Sequence, residues 1–320
     1  MTSAPNTAPP RIFSPARLRA QRDRSAARFS EFDFLKRRVS SELVERLDDV
    51  AREFPNVMDI GAHDGSLSAF LAARPGVRKV LALEPSPAMA AIAGASEGVE
   101  ARVSLLETLD VPPASFDLAV SALALHWVND LPGLLVQVRQ ALKPDGLFLA
   151  ALFGGETLKE LRQSLMQAES ELLGGAGARV SPFLDGIDGG RLLQRAGFAL
   201  PVADSDRLTV TYETLFHLIA ELRGMGEASK LAGRVHPLRR DVLMRAAEIH
   251  AERFSDPRGR ITATFDIVWL AGWAPAPDQP RPKRPGSATH SLAEAVGAKE
   301  IPAGEKTGAR GSGEDRDQDG

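Results

Sequence analysis

Short apolar runs alternate with amphipathic stretches through the middle of the chain, from residue 57 to residue 153. The apolar runs are rich in Val, Ile and Leu, as expected of strands that are buried on both faces of a sheet. An amphipathic stretch between two such strands predicts a helix that crosses over and covers the sheet. The pattern therefore predicts an α/β fold with a doubly wound, mostly parallel sheet. The predicted strands are residues 57–60, 79–83, 103–105, 116–121 and 147–153, and the predicted helices between them are residues 66–73, 87–95 and 131–142.

The elements on either side of this region follow a different pattern. Before it, the spacing of apolar residues predicts helices at 15–28 and 34–53. The second helix carries an apolar stripe of Leu35, Val39, Leu43 and Leu47. After it, the predicted helices are residues 156–172, 190–196, 213–223 and 237–253, and the predicted strands are residues 207–212 and 262–273. Two late strands without a regular βα rhythm predict an antiparallel pair that closes the sheet, and the late helices predict a cap.

The chain is predicted to form one principal domain with a tail at each end. Residues 1–12 are rich in Pro, Thr and Ser, and residues 274–320 are rich in Pro, Gly and charged residues. Neither segment can bury enough apolar surface to fold, so both are predicted to be disordered. Between them we expect N-terminal helices at 13–53, an α/β core at 54–153, and a helical cap with the closing strands at 154–273.

Composition limits the classes of partner and site. The chain has 320 residues, of which 43% are hydrophobic, enough for one sizeable core. A formal net charge of −3 creates no field that would gather nucleic acid, so no nucleic-acid partner is predicted. The absence of Cys excludes disulfides and a Cys nucleophile. The apolar runs are far shorter than the roughly 20 residues of a membrane-spanning helix, which predicts no transmembrane segment.

The predicted location is the cytoplasm. The N-terminus lacks the apolar centre of a secretory signal. Residues 11–28 are rich in Arg and poor in acidic residues, a composition that also fits a transit peptide. The mitochondrial matrix is therefore the alternative location.

The most informative local motif joins the first predicted strand to the helix after it. Asp59 precedes a Gly-x-x-x-Gly turn formed by Gly61 and Gly65. Glycine lets the backbone pass close to a ligand, and the turn brings helix N-terminal amides to the same place. The spacing differs from the Gly-x-Gly-x-x-Gly of dinucleotide-binding enzymes, and Asp59 can accept a hydrogen bond from a cationic amino-acid ligand. A tight turn without a ligand is the alternative interpretation.

Residues at the ends of the following strands extend this candidate site. Glu84 ends the second predicted strand, where an acidic side chain can bind both hydroxyls of a ribose. Pro85 and Met89 follow it and can lie against an adenine ring. Glu107, near the end of the third strand, can meet the adenine amino group, and Ser121 at the end of the fourth is a further candidate contact. A solvated position at a strand end is the alternative for each carboxylate.

His126 and Trp127 follow the fourth predicted strand. Ligands bind at the carboxyl ends of strands in open α/β sheets, so His126 is the candidate catalytic residue and Trp127 the candidate substrate contact. A hydrogen-bonded structural histidine and a core tryptophan are the alternatives. No two histidines have the spacing of a local metal site, and no metal is predicted.

These motifs resemble those of the class I S-adenosylmethionine-dependent methyltransferases across residues 35–153. The resemblance is carried by the turn at residues 59–65, by Glu84, and by residues 116–117 and 142–146. Longer strings, of which residues 125–132 read LHWVNDLP, are similar to the arginine-hydroxylase assembly factors of respiratory complex I. The other strings are residues 153–158, 160–162, 180–183 and 222–227. Bacterial relatives of these factors include the malonyl-carrier-protein methyltransferases of biotin synthesis.

The resemblance implies a seven-strand sheet and a specific cofactor. It implies S-adenosylmethionine bound by Asp59, Gly61, Gly65, Glu84 and Glu107. Methyl transfer to a protein or carrier-linked group is the function predicted first, because such a reaction needs little beyond correct positioning. The resemblance supports a second hypothesis, hydroxylation of an arginine on a complex I subunit, which also requires an oxidant and electrons. A third hypothesis is a non-catalytic assembly chaperone that keeps the cofactor pocket.

Overall fold

A seven-stranded sheet forms the centre of the computed structural model, which describes residues 11–184, 186–233 and 237–279 together with Gly297. Its strands are β1 (Asn56–Ile60), β2 (Lys79–Glu84), β3 (Val99–Val103), β4 (Phe116–Ala122), β5 (Leu142–Phe153), β6 (Ala199–Tyr212) and β7 (Ile261–Trp273). Their order across the sheet is β3-β2-β1-β4-β5-β7-β6. Strands β1 to β5 are parallel, and β7 runs antiparallel between β5 and β6. The predicted mostly parallel, seven-strand α/β fold with an antiparallel edge pair is confirmed.

The strand order reverses between β1 and β4, which lie side by side at the centre of the sheet. In open α/β sheets, ligands bind outside the carboxyl ends of the strands at such a reversal. The turn after β1, the end of β2 and the loop after β4 all lie at this edge. The fold therefore brings the predicted site residues to one place.

Helices cover both faces of the sheet. They are α1 (Pro15–Ser25), α2 (Phe34–Asp48), α3 (Ser66–Ala72), α4 (Pro87–Ala93), α5 (Leu131–Ala141), α6 (Lys159–Leu173), α7 (Gly186–Arg195), α8 (Leu215–Gly224) and α9 (Arg240–Phe254), with 3₁₀ turns at Ala26–Glu31 and Leu125–Trp127. Helices α2, α3, α6, α8 and α9 contribute to one large core cluster, and α1, α5 and α7 contribute to a second. Among the helices of the described residues, none is long and apolar enough to cross a bilayer.

The predicted apolar stripe of α2 anchors that helix on the sheet. Its four residues are at most 2% exposed and belong to the core cluster on that face. They are Leu35, Val39, Leu43 and Leu47. Each buried side chain of this kind stabilises the fold by roughly 1.5–3 kcal/mol relative to exposure. The helix ends at Asp48, before the predicted residue 53.

Three strands differ from the sequence-based bounds by more than one residue. Strand β3 lies at the sheet edge and ends at Val103, whereas the prediction placed it at 103–105, where Leu105 is 56% exposed. An edge strand faces solvent on several sides, so no continuous apolar run marks it. Strand β5 begins at Leu142, which pairs with Phe116, whereas the prediction ended a helix at residue 142 and began this strand at residue 147. Strand β6 begins at Ala199, before the predicted residue 207. The prediction missed its first half because that half is largely exposed and has no apolar run.

The chain divides into two compact units, residues 1–277 and residues 278–320. Most of the two segments predicted to be disordered, residues 1–12 and 274–320, lies outside the described residues.

Candidate functional site

The carboxyl edge of the parallel strands gathers most of the predicted site residues. His63 follows β1, Glu84 ends β2 and His126 follows β4. Two residues from outside the sheet reach the same edge, since Arg22 of α1 pairs with Glu84 and Glu227, after α8, pairs with His126. The site is therefore built from the sheet, the N-terminal helix and the cap together.

The turn after β1 requires glycine. The atoms that leave no room for a side chain there belong to the protein and not to a ligand. Gly61 and Gly65 have φ of +74° and +78°, in the left-handed region where a side chain is strained. A Cβ on Gly61 would overlap the side chain of Ala124, and a Cβ on Gly65 would lie 2.6 Å from Ala93. The close approach predicted toward a ligand is thus made, in this structure, to the loop after β4 and to α4. Contact of these glycines with a cofactor stays a prediction.

Glu84 lies at the end of β2 as predicted, but its carboxylate is already paired. Nη1 of Arg22 lies 2.6 Å from Oε2, and both side chains are 0% exposed. The backbone N–H of His63 donates to Oε2 at 2.9 Å, and that of Ser86 donates to Oε1 at 2.9 Å. The predicted acceptor for ribose hydroxyls is therefore covered by a guanidinium of α1.

Asp59 is a buried carboxylate with one unused oxygen. Its Oδ2 accepts a hydrogen bond from Ser68 Oγ at 2.7 Å. Its Oδ1 has no hydrogen-bond partner among the described residues. Burial raises the pKa of Asp59 to about 6, against the lowering effect of Lys36. Asp59 Oδ1 can therefore accept a hydrogen bond from a bound ligand.

The residues predicted to lie against an adenine ring are packed under the N-terminal segment. Pro85 and Met89 are both buried. Met89 forms a small cluster with Ala26 and Phe29 of the 3₁₀ turn after α1. Their predicted contact with adenine stays a prediction, and in this structure Phe29 occupies that side of Met89.

Glu107 and Ser121 hold backbone in place. Glu107 Oε1 accepts hydrogen bonds from the backbone N–H and the Nδ2 of Asn129 at 2.9 and 2.7 Å. Ser121 Oγ donates to the carbonyl of Ile60 at 2.6 Å, which ties β4 to the end of β1. These contacts favour structural roles over the predicted contact with a cofactor.

A buried carboxylate, Glu227, forms the polar centre beside this edge. Trp127 Nε1 donates to its Oε2 at 2.7 Å, and His126 Nε2 lies 3.2 Å from the same oxygen. Lys230 Nζ lies 3.7 Å from Oε2, and His63 Nε2 lies 3.7 Å from Oε1. Burial alone would raise the pKa of Glu227, but the charge of Lys230, the hydrogen bond from His126 and the proximity of His63 hold it well below its usual value. Glu227 is therefore ionised at neutral pH.

His126 has a partner on each ring nitrogen. Nε2 faces the ionised Glu227, and the backbone N–H of Phe153 points to Nδ1 at 3.4 Å. Burial lowers the pKa of His126, so the ring is neutral at pH 7, and its partners assign the proton to Nε2. A neutral ring with both nitrogens engaged orients Glu227. This structure thus favours the alternative of a hydrogen-bonded histidine over the predicted catalytic role.

Aromatic rings lie beside Glu227 and Lys230. Lys230 Nζ lies 3.8 Å from the centre of the Trp127 ring, a cation–π contact. The Phe183 ring lies 5.7 Å from the Trp127 ring, and a cavity of about 60 Å³ beside them is also lined by Glu227. Burial lowers the pKa of Lys230 to about 7, against the raising effect of Glu227.

Comparison with known proteins identifies the family. Residues 58–150 match the family model described as a methyltransferase domain. The chain is 41% identical over 267 residues to the mitochondrial arginine-hydroxylase NDUFAF5 of Rattus norvegicus, an alignment that covers 82% of this chain and 77% of the rat protein. The chain belongs to the class I S-adenosylmethionine-dependent methyltransferase superfamily.

Two further similarities support this assignment. The malonyl-[acyl-carrier protein] O-methyltransferase of Laribacter hongkongensis is 31% identical over 281 residues, covering 84% of this chain and 91% of that protein. Among solved structures, the YcgJ protein of Bacillus subtilis superposes with a TM-score of 0.53 at 16% identity, over 74% of this chain and 98% of that one. The structural likeness shows the fold. The cofactor of this methyltransferase-family protein is S-adenosylmethionine.

The carboxyl edge fits the chemistry of this cofactor. S-adenosylmethionine carries ribose hydroxyls, an ammonium group and a carboxylate. Glu84 is an acceptor of the kind that ribose hydroxyls need, and the unused Oδ1 of Asp59 is a buried acceptor that suits an ammonium group. These groups match the hydrogen-bonding groups of the cofactor. In this structure α1 covers the edge at which they lie.

Sequence reasoning missed four charged residues of this site. They are Arg22, Lys36, Glu227 and Lys230. Glu227 carried a signal, because it ends the string at residues 222–227 that resembles the arginine-hydroxylase factors. Arg22 carried none, because it is one of several arginines in a helix whose composition also fits a transit peptide.

Proposed function

We propose that this protein uses S-adenosylmethionine to methylate an arginine side chain of a partner protein. The observation that supports this proposal is the buried, ionised carboxylate of Glu227 at the carboxyl edge of the sheet, with the rings of Trp127 and Phe183 beside it. A carboxylate beside aromatic faces suits a planar cation, because a guanidinium can pair with one and stack on the other.

The first part of the proposed site holds the cofactor. Glu84 would bind the ribose hydroxyls and Asp59 the ammonium group, with Pro85 and Met89 beside the adenine. When bound, S-adenosylmethionine supplies an electrophilic methyl group. The chain contributes position and the exclusion of water, which together account for much of the rate in such reactions.

The second part would hold the substrate. Glu227 would accept N–H bonds from the incoming guanidinium, and Trp127 would stack against it. Lys230 now fills this role, with its ammonium between Glu227 and Trp127. A pKa of about 7 means that Lys230 gives up its charge readily, which suits a residue that is replaced by an incoming cation. We propose that the cap, residues 154–273, selects the partner.

Proteome-wide mass spectrometry of strains with and without this gene tests the proposal. We expect one or more arginine side chains to lose the mass of a CH₂ group when the gene is deleted. The wild-type gene and a Glu97→Gln control, which changes an exposed carboxylate, should restore the mass, and Glu227→Gln should not. Arginines of unchanged mass in the deletion strain would reject arginine as the target.

Hydroxylation of an arginine is the second candidate function. The higher identity to the rat protein named arginine-hydroxylase, 41% against 31% for the carrier-protein methyltransferase, favours it. The same spectra decide between the two reactions, because hydroxylation adds one oxygen atom and methylation adds one CH₂ group. For this candidate the proposed partner is a subunit of respiratory complex I.

The location also stays a proposal. We propose the cytoplasm, with the mitochondrial matrix as the alternative that the rat relative's name supports. Fluorescence microscopy of the full chain with a C-terminal fluorescent protein distinguishes the two.

A further inference from the structure

A cleft of about 530 Å³ lies between the first helix and α8. The end of α1 and the residues after it form one wall, through Arg24, Arg28 and Phe32. The end of α8 forms the other wall, through Arg223 and Gly224. None of the described residues that line this cleft is one that was predicted to bind the cofactor. The cleft is therefore separate from the carboxyl edge of the sheet.

Two arginines of α1 face different parts of the molecule. Residues that are two positions apart in an α-helix point about 200° apart around its axis. Arg22 is fully buried against Glu84, whereas Arg24 is exposed and lines the cleft. The cleft therefore presents a cation that takes no part in the contacts beneath α1.

The charge in the cleft is positive and mostly not neutralised. Three arginines line it, and no residue described as lining it is acidic. Arg28 is paired with Glu31, because Nη2 donates to Oε2 at 2.6 Å. The side chains of Arg24 and Arg223 make no ion pair or hydrogen bond within the part of the chain that the structure describes. Both guanidiniums can therefore bind carboxylates, whose planar shape matches theirs.

Uncharged groups hold the two walls of the cleft together. Gln21 Nε2 donates to the carbonyl of Ser229 at 3.0 Å, which joins α1 to the loop after α8. A Cβ on Gly224 would overlap the ring of Phe32, so glycine at this position lets α8 pack on that ring. Neither contact uses a charge. An anion can therefore bind in the cleft without breaking an interaction between its walls.

The cleft also has an apolar surface, which favours a peptide over a free phosphate. The half-buried ring of Phe32 lines it together with Ala220 and Ala228. A phosphate ion would contact only the arginines. A peptide with acidic and apolar side chains can contact both the arginines and the apolar surface.

The cleft adjoins the proposed substrate site. Ala228 lines the cleft, and it also lines the cavity of about 60 Å³ beside Glu227. One extended segment can therefore place a side chain at Glu227 and its neighbouring side chains in the cleft. This step rests on the proposed function, in which Glu227 receives an arginine of a partner protein.

We propose that the cleft binds an acidic segment of the partner protein, next in sequence to the arginine that enters at Glu227. Arg24 and Arg223 pair with the carboxylates of this segment, and Phe32 packs against an apolar side chain between them. A neutral segment forms no ion pairs there, and a basic segment is repelled. The cleft therefore selects arginines that have acidic neighbours.

Fluorescence anisotropy of labelled synthetic peptides with the full chain tests this inference. The acidic probe has one arginine followed by Gly-Gly-Glu-Glu-Leu-Glu-Glu, and the neutral probe has glutamine in place of each glutamate. We expect the wild type to bind the acidic probe about 10- to 100-fold more tightly, the effect of two charge-assisted pairs. Arg24→Gln combined with Arg223→Gln should abolish this preference. Added salt should weaken binding of the acidic probe, because both arginines are exposed.

Matched variants control for net charge and for folding. Arg240→Gln combined with Arg258→Gln removes the same charge from exposed arginines outside the cleft, and it should leave both affinities unchanged. Arg24→Glu combined with Arg223→Glu should prefer a probe with lysine in place of each glutamate. The same reversal at Arg240 and Arg258 should not. A gain of binding that depends on position decides the test even if the glutamine variant loses affinity for every probe.

Three results would overturn the inference. The first is equal binding of the acidic and neutral probes by the wild type. The second is a preference for the acidic probe that persists without Arg24 and Arg223. The third is binding of inorganic pyrophosphate through the same two arginines with no preference between the probes, which would assign the cleft to a phosphate ligand.

A further probe separates this inference from the proposed function. It keeps the acidic residues and has glutamine in place of the arginine. If Glu227→Gln weakens binding of neither acidic probe, no arginine enters at Glu227 and the proposed substrate site fails, while the preference of the cleft for acidic residues stands. If Glu227→Gln weakens only the probe with arginine and the cleft variants change nothing, this inference alone fails.

Discussion

Charged side chains at the carboxyl edge are withdrawn from water almost completely, and their partners decide how they behave. They are Arg22, Lys36, Asp59, Glu84, Glu227 and Lys230. A buried charge persists only when it is paired or hydrogen-bonded, and otherwise it neutralises through a shifted pKa. Burial moves the pKa of Asp59 to about 6 and that of Lys230 to about 7. Both groups therefore titrate at about pH 6 to 7, where an ordinary Asp is ionised and an ordinary Lys is protonated.

The raised pKa of Asp59 predicts a pH-dependent stability. The pKa rises from 3.8 in the unfolded chain to about 6 in the fold, so the native state binds the proton more tightly. The free energy of unfolding therefore falls as the pH rises through this window, by about 1–3 kcal/mol. Asp59→Asn cannot ionise, and we expect its stability relative to the wild type to increase between pH 4 and pH 6 in urea titrations.

An exposed carboxylate supplies the control for this series. Asp110→Asn should follow the wild-type curve at every pH, because Asp110 is solvated. A difference between Asp59→Asn and the wild type that does not change with pH would contradict the prediction.

The glycine after β1 predicts a two-part cost of substitution. Gly61→Ala would place a Cβ at φ +74° and against Ala124, which combines backbone strain with overpacking. We expect a loss of about 2–5 kcal/mol in the free energy of unfolding. Adding Ala124→Gly removes the overlap but not the strain, so thermal denaturation should show partial recovery.

Gly175→Ala is the matched control, since a Cβ there would meet nothing within 4 Å. Full recovery by Ala124→Gly would mean that the backbone strain is negligible. No recovery would mean that the contact with Ala124 is not the cause.

At the same scale, the sequence predicted which residues meet at the site better than it predicted their partners. Asp59, Glu84 and His126 lie at the predicted strand ends, because the carboxyl ends of parallel strands share one edge. The pairing of Arg22 with Glu84 could not be foreseen, because the two residues lie 62 positions apart in the chain. Local spacing carries no information about such a pair.

Among the elements, helices with a strong apolar stripe were predicted well, and edge strands were not. Helix α2 begins at Phe34 as predicted, because the helical spacing of its apolar residues can be read from the local sequence alone. Strand β3 and the first half of β6 were misplaced because their bounds depend on pairing with a distant strand. A strand exposed at the sheet edge lacks the apolar run that marks a central one.

The packing of α2 predicts a large cost for shortening one side chain. Leu43 is 1% exposed and lies in the core cluster beneath the helix. We expect Leu43→Ala to lower the free energy of unfolding by about 2–5 kcal/mol, since it removes buried surface and leaves a cavity. Urea denaturation followed by circular dichroism measures the change.

Leu172→Ala on α6 is the chemically matched control, because Leu172 is 43% exposed. Its cost should stay below about 0.5 kcal/mol. Equal costs for the two variants would show that α2 is not anchored through this stripe.

Across the whole molecule, Glu227 connects parts that are distant in the chain. It receives hydrogen bonds from residues after β4 that are about one hundred positions away, His126 and Trp127, and it lies beside Lys230. Sequence motifs predicted His126 and Trp127, which follow β4, as site residues. They did not predict the carboxylate of Glu227, which joins these two residues to the cap. Such coupling becomes visible only when the cap is folded onto the sheet.

This connection predicts strong coupling between Glu227 and Lys230. Glu227→Gln alone should cost about 3–5 kcal/mol, because Lys230 must then either stay a buried cation without its charge partner or give up its proton. Lys230→Met should cost less in the Glu227→Gln background than in the wild type, with a coupling energy of about 1–3 kcal/mol. Four denaturation curves define the double-mutant cycle.

A surface pair provides the comparison. Arg38 and Glu42 lie 3.1 Å apart with side chains that are 52% and 29% exposed. The cycle of Arg38→Met and Glu42→Gln should give a coupling energy below about 1 kcal/mol. Equal coupling in the two cycles would remove any special role for the buried pair.

The start of α1 and the residues before it are also held by the loop after α8, and this sets an order of events during synthesis. The backbone N–H of Ser14 donates to Lys230 at 2.8 Å, that of Ala232 donates to Ile12 at 2.7 Å, and Arg17 donates to Leu231. A ribosome must therefore make more than two hundred further residues before the first helix finds these acceptors. Until then only contacts nearer in the chain, those of Arg22 with Glu84 and of Asp23 with Ser86, can hold α1 over the carboxyl edge of the sheet.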